Sequence, residues 1–235
     1  MQFKSEFLDA LGHYGSFASS IVIHPGQPLV ACSKSRSVTA IASIESGLDE
    51  IEDEVLPIFD LSSFNKVARL FSKYDKYNVD FKTTCLSFDA GKFSQDYQLQ
   101  DATLLDGVAP KPEKVEAYME TDADVEFTLA ADDLATFRAA TSTNALSTIA
   151  FSSESGQVRM SCVDVDLAGR ESRDSSVFRF DTGETTDKEF RIGFDRKNFV
   201  MLPGDYTVKL LPKNIRFIGE VVSYLLPVSS WSTMS

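Results

Sequence analysis

The strongest constraint on this chain is that one order of elements occurs in it twice. A candidate helix is followed by strands, a strand leads into a second helix, and more strands follow; the second half then repeats the series. Leu8 and Leu134, Ile21 and Ile149, Cys32 and Cys162, Phe59 and Phe194, Tyr77 and Tyr206, and Val79 and Val208 hold matching places, about 130 residues apart. Strand signals dominate, as short runs rich in β-branched and aromatic residues split by turn residues: 20–23, 29–32, 38–42, 79–81 and 85–88, then 125–129, 148–151, 158–162, 177–180, 190–192 and 206–210. Four segments read as helices: 4–14, 61–73, 132–141 and 196–202. Asp60 and Asp195 stand just before two of them, where a carboxylate accepts from free backbone N–H groups and meets the positive helix end.

At 235 residues the chain can hold two domains with separate cores. The division expected is a first domain over 1–105, a connector over 106–117 and a second domain over 118–235. Pro110 and Pro112 in the connector argue against helix and for an extended strap. Pattern alone also allows this stretch to be a surface loop within a single α+β domain.

The formal net charge is −12, which opposes tight nucleic-acid binding through neutralised phosphates. The excess acid, however, belongs to strands and loops. The helical segments and the residues just beyond the second carry Lys4, Lys66, Arg69, Lys73, Lys76, Arg138, Arg196 and Lys197, and most of their acids sit at caps. Four helices sharing one face would make that face positive. Taken singly, each lysine reads first as part of a solvated helix surface; the joint pattern is what points to a basic face.

Signs of catalysis are lacking. The sequence holds no GxxxxGK[ST] loop for a nucleotide phosphate and no GxSxG nucleophile turn. His13 and His24 have no ligand-type neighbours at metal spacing. The acidic run Asp49, Glu50, Glu52, Asp53 and Glu54 lacks the alternation and glycine of a calcium loop, so it reads as solvated. Cys32, Cys85 and Cys162 form no CxxC pair and read as buried thiols. The expectation is a protein that is not an enzyme and needs no cofactor. No apolar run is long enough to cross a bilayer and the first residues lack a signal-peptide core, so a cytosolic protein is expected.

Three stretches carry a specific likeness: Ser19-Ser20-Ile21-Val22-Ile23 with Pro25-Gly26-Gln27 after the first helix, Ile58-Phe59-Asp60-Leu61-Ser62-Ser63-Phe64 entering the second, and Asn198-Phe199-Val200-Met201-Leu202-Pro203-Gly204-Asp205-Tyr206. With these, the chain resembles along its whole length the sliding clamps of T-even-like bacteriophages, the processivity factors of DNA polymerase. The resemblance implies an α+β DNA-clamp fold, with two similar domains each built from two β-α-β-β-β units and a homotrimeric ring whose helices face the hole. It implies double-stranded DNA held topologically and without sequence preference, with the eight basic residues named above facing it. The implied partners are the replicative polymerase, a separate clamp-loading ATPase and RNA polymerase-associated factors of late transcription, in the cytoplasm of the host cell. It further implies a pocket for partner peptides, whose candidate walls here are Val108, Pro110 and Val115 of the connector with Tyr224, Leu225, Leu226, Pro227 and Val228. The segment around Trp231 has no place in that scheme.

Two other functions stay open from sequence. A phage structural or assembly protein would scatter its basic residues, and a monomeric peptide-binding adaptor would keep the groove without forming a ring.

Overall fold

The computed structural model describes residues 1–47, 55–105, 107, 108, 110–143, 146–166, 170, 171 and 177–234, the side chains at 143 and 154 excepted. The acidic run at 49–54 lies outside them. The chain divides into two compact units, Met1–Tyr118 and Met119–Ser235.

The first unit opens with α1 (Ser5–Tyr14), followed by β1 (Ile21–Ile23), β2 (Leu29–Cys32), β3 (Thr39–Ala42), β4 (Leu56–Ile58), α2 (Leu61–Phe71), β5 (Asn78–Lys82), β6 (Cys85–Asp89) and β7 (Ser94–Gln98). All its pairings are antiparallel: β1 with β4, β2 with β3, and β6 between β5 and β7. Buried Phe7, Leu8, Leu11 and Tyr14 put one face of α1 inside, and Leu61, Phe64, Ala68 and Phe71 do the same for α2. Their rings meet those from neighbouring elements: Phe3 packs on Phe7 at 5.7 Å and Phe64 meets Tyr97 edge-on at 5.1 Å. Each such ring removes roughly 150–250 Å² from water, so these contacts dominate the unit's core. Asp60 caps α2 as its position before the helix foretold, accepting from the Ser63 amide at 2.9 Å.

After a 3-10 turn at Ala102–Leu105, α3 (Pro112–Glu120) leads out of the first unit. This corrects the extended reading of the connector. Pro112 is the first residue of the helix, where its missing N–H has no helical partner to lose and its fixed φ suits the turn. The penalty for proline applies to helix interiors.

The second unit contains β8 (Val125–Leu129), α4 (Ala131–Thr143), β9 (Thr148–Glu154), β10 (Gln157–Val163), β11 (Phe178–Thr185), β12 (Phe190–Asp195), β13 (Tyr206–Leu210), β14 (Asn214–Gly219), β15 (Val222–Pro227) and β16 (Thr233–Met234). Its strands run side by side as β11-β10-β9-β12-β16 and as β15-β14-β13-β8. The residues Val125, Phe127 and Leu129 of β8 alternate inward and stand opposite Leu210, Val208 and Tyr206 of β13. A slip of one residue would turn both sets to water, which fixes the register.

The repeat seen in sequence extends to the pairing. Val79 faces Phe88 across β5 and β6, and Val208 faces Phe217 across β13 and β14. The copies differ at one element: residues 196–202, expected as a helix, form only a 3-10 turn at Arg196–Asn198. Pro203 disfavours helical backbone at Leu202, and Phe199 turns in among Phe137, Phe194 and Phe217, with centroids 5.9–6.2 Å away.

Candidate nucleic-acid and partner surfaces

The eight basic residues divide by what holds them. Lys66 and Arg69 lie one turn apart on α2, away from its buried Phe64, Ala68 and Phe71. Lys66, Lys73 and Lys76 are exposed, and together with Arg69 they make a short basic run in the first unit. Arg69 reaches across to α1, donating to the Leu8 carbonyl and the Asp9 carboxylate, each at 2.8 Å. Gly12 permits this: a Cβ there would lie 2.8 Å from the Arg69 guanidinium. Lys4 pairs with Glu45.

In the second unit the cations are more occupied. Arg138 is partly buried, donates to the Met201 carbonyl and lies 5.4 Å from the centroid of the Phe199 ring. Burial pulls its guanidinium below the ordinary arginine value. Arg196 donates to the Thr141 carbonyl at 2.8 Å, and Lys197 pairs with Asp195 at 2.6 Å. Thus Lys66, Lys73 and Lys76 are free to meet a phosphate, whereas Arg138 and Arg196 tie α4 to the loops beside it.

Of the candidate pocket walls, Val108 is half-buried, Pro110 is exposed and Val115 is buried in α3. Tyr224 and Leu226 are fully buried and offer no surface. They occupy the inward positions of β15, and the Tyr224 hydroxyl accepts from the Leu202 amide at 3.1 Å. Leu225 and Val228 are half-buried and Pro227 is exposed, so any ligand would meet these three.

Within the first unit the connector borders a groove of about 360 Å³, lined by Phe59, Leu104, Leu105 and Val108 with Lys34 and Arg36 at its polar side. Arg36 donates to the Gly107 carbonyl at 3.0 Å. Phe59 and Leu104 were not among the pocket walls expected from sequence. Their signal is exposure, 54% and 62% respectively, which no periodicity reports. Phe59 precedes the Asp60 cap, where an apolar residue ordinarily packs back onto the helix, so its sequence position resembled a structural one.

Cys32, Cys85 and Cys162 are free and buried. Among the described residues no helix is long and apolar enough to cross a membrane.

The arrangement of these strands and helices is the DNA sliding-clamp fold. The chain superposes on the Archaeoglobus fulgidus PCNA bound to the C-terminal region of FEN-1 with a TM-score of 0.64 over 97% of both chains, at 16% identity. It superposes on a putative DNA polymerase III β subunit from Eubacterium rectale with a TM-score of 0.69 and 11% identity, covering 97% of this chain and 64% of that longer one. Residues 126–230 match the family described as gp45 sliding clamp, C terminal. Over 96% of its length the chain is 26% identical to the sliding clamp of Vibrio phage KVP40, and the match covers 98% of that protein. The family match and the phage relative together support a phage sliding clamp.

Proposed function

We propose that this chain is a sliding clamp that closes as a homotrimer around duplex DNA and tethers the replicative polymerase of a phage inside the host cell's cytoplasm. The observation that carries this reading is whole-length agreement with PCNA, a chain of matching extent, coupled to the phage relative. The charge pattern is consistent with it. A net charge of −12 disfavours adhesion to DNA, and retention by encirclement needs only a loose basic lining such as Lys66, Lys73 and Lys76. Arg69 would steady that lining by joining α2 to α1.

Ring closure would use sheet edges. Among the described residues β7 and β11 each lie at the edge of their sheet, and an open edge accepts a strand from another subunit. Partner peptides would enter the groove beside Phe59, Leu104 and Val108, where an apolar anchor would supply most of the affinity. The clamp acts without catalysis, so opening it falls to a separate loader ATPase. Activation of late transcription, through RNA polymerase-associated factors, belongs to the same reading.

Sedimentation equilibrium tests the assembly: a limiting mass near three times 26.0 kDa is expected. A monomer at every concentration would refute the ring and leave the peptide-binding adaptor.

A further inference from the structure

The five-stranded sheet of the second unit has two sides, and they are treated differently. On one side β11 ends the sheet among the described residues. On the other, the chain returns after β15 and lays residues 229–234 along β12. Gly193, in the middle of β12, has both backbone groups taken by this segment: its carbonyl accepts from the Ser229 amide at 2.7 Å, and its amide donates to the Ser232 hydroxyl at 3.1 Å. Further along, Thr233 stands opposite Arg191 and Met234 opposite Phe190 as a short antiparallel strand.

Trp231 holds the segment down. A Cβ on Gly193 would come within 2.6 Å of the Ile149 carbonyl on β9 and 2.7 Å of the Trp231 ring, so a bare glycine there accommodates both the neighbouring strand and the indole lying against β12. The Arg191 guanidinium is 5.6 Å from the ring centroid and pairs with Glu171 at 3.1 Å. A cation over an indole favours this contact, and the ring leaves little of β12 open to an incoming chain.

We infer that residues 229–234 are an edge guard, which blocks β12 from adding a strand of another chain and leaves β11 as the side of this sheet open to assembly. An uncovered edge presents unpaired N–H and C=O groups and recruits other strands without discrimination. A sheet with both sides open would let subunits join in chains, whereas a sheet with one closed side restricts joining to a single geometry. The guard itself does not depend on the ring proposed above; only the use made of β11 rests on it.

The test compares the full chain with a variant ending at Val228, by sedimentation velocity and by hydrogen exchange of the β12 amides. The guard requires that the shortened chain keep its β-sheet circular dichroism and expose the Gly193 amide. With rising concentration it should form species roughly twofold or more heavier than the largest full-chain assembly, in which β12 regains protection. Unchanged sedimentation would overturn the inference, as would heavier species in which β12 stays unprotected, because these would be held by some other surface. If the shortened chain fails to fold, Trp231→Ala decides by the same two readouts. A full chain that proves monomeric would defeat the ring alone, provided the shortened chain still associates through β12.

Discussion

Arg138→Met separates a cation that holds the fold from those free to meet DNA. The substitution keeps the length of the aliphatic stem but removes the guanidinium that donates to the Met201 carbonyl and stacks over Phe199. A hydrogen bond from a charged donor contributes about 1.5–3 kcal/mol, and a partly exposed cation over a phenyl ring adds about 0.5–1 kcal/mol. Burial of the methionine returns about 1 kcal/mol. The net loss is therefore about 2 kcal/mol, which for a unit of this size lowers the melting temperature by about 8 °C. The assay is thermal unfolding followed by near-ultraviolet circular dichroism, which reports on packed aromatic rings, those around Phe199 included. Lys66→Ala, Lys73→Ala and Lys76→Ala, made in the same chain, should each stay within about 0.5 kcal/mol of the parent. An Arg138→Met protein that melts with the parent, or lysine variants that lose as much, would refute the division.

Asp60→Ala should cost about 1 kcal/mol by removing the cap of α2. Hydrogen bonds from the Ser63 hydroxyl and amide lower the Asp60 pKa below 3.8, so its contribution is full above that value and vanishes as pH falls through the lower folded one. Urea unfolding at pH 7 and again below pH 3 should accordingly show the difference between parent and variant shrinking in acid. At the alkaline end, burial raises Tyr206 from 10.0 to about 12 and raises Tyr224 as well. Both stabilise the fold fully below pH 10, and that contribution drains as pH climbs toward the raised value; ultraviolet titration should find Tyr206 and Tyr224 ionising late or only with unfolding, with Tyr77 and Tyr97, also raised by burial, delayed as well. Ionisation of every tyrosine near pH 10 in the folded chain would contradict their burial. Cys162, pushed up to about 11 by burial, should resist a thiol reagent at pH 8 until denaturant is added, as should buried Cys32 and Cys85.

The fold was legible where chemistry is local and periodic. The alternation of β8 and β13, the aspartate before α2 and the repeated spacing of Val79 and Val208 all reappear as burial, a cap and a matching register. Residues 196–202 misled because Asp195 does cap a turn, by accepting from the Lys197 amide, while the packing of half-buried Phe199 against rings distant in sequence ends the helix early. The connector misled because proline has opposite meanings at the start and in the interior of a helix, and sequence does not say which applies to Pro112. The surfaces were less readable than the fold. A basic residue in a helix pattern shows no sign of whether it faces water, as Lys66 does, or a backbone carbonyl, as Arg138 and Arg196 do. Trp231 had no place in the pattern because its partner, Gly193, is marked only by the lack of a side chain.

Encirclement is the central claim, and it is tested most directly by the dependence of binding on DNA ends. The chain is incubated with linear duplex whose ends are open or are capped beforehand by a bulky bound protein, and retention is measured after a shift to high salt. A clamp should thread onto the open duplex, survive the salt shift once the ends are capped behind it, and fail to load on duplex capped from the start. Binding that ignores the state of the ends and disappears with salt would be ordinary phosphate attraction and would contradict the account.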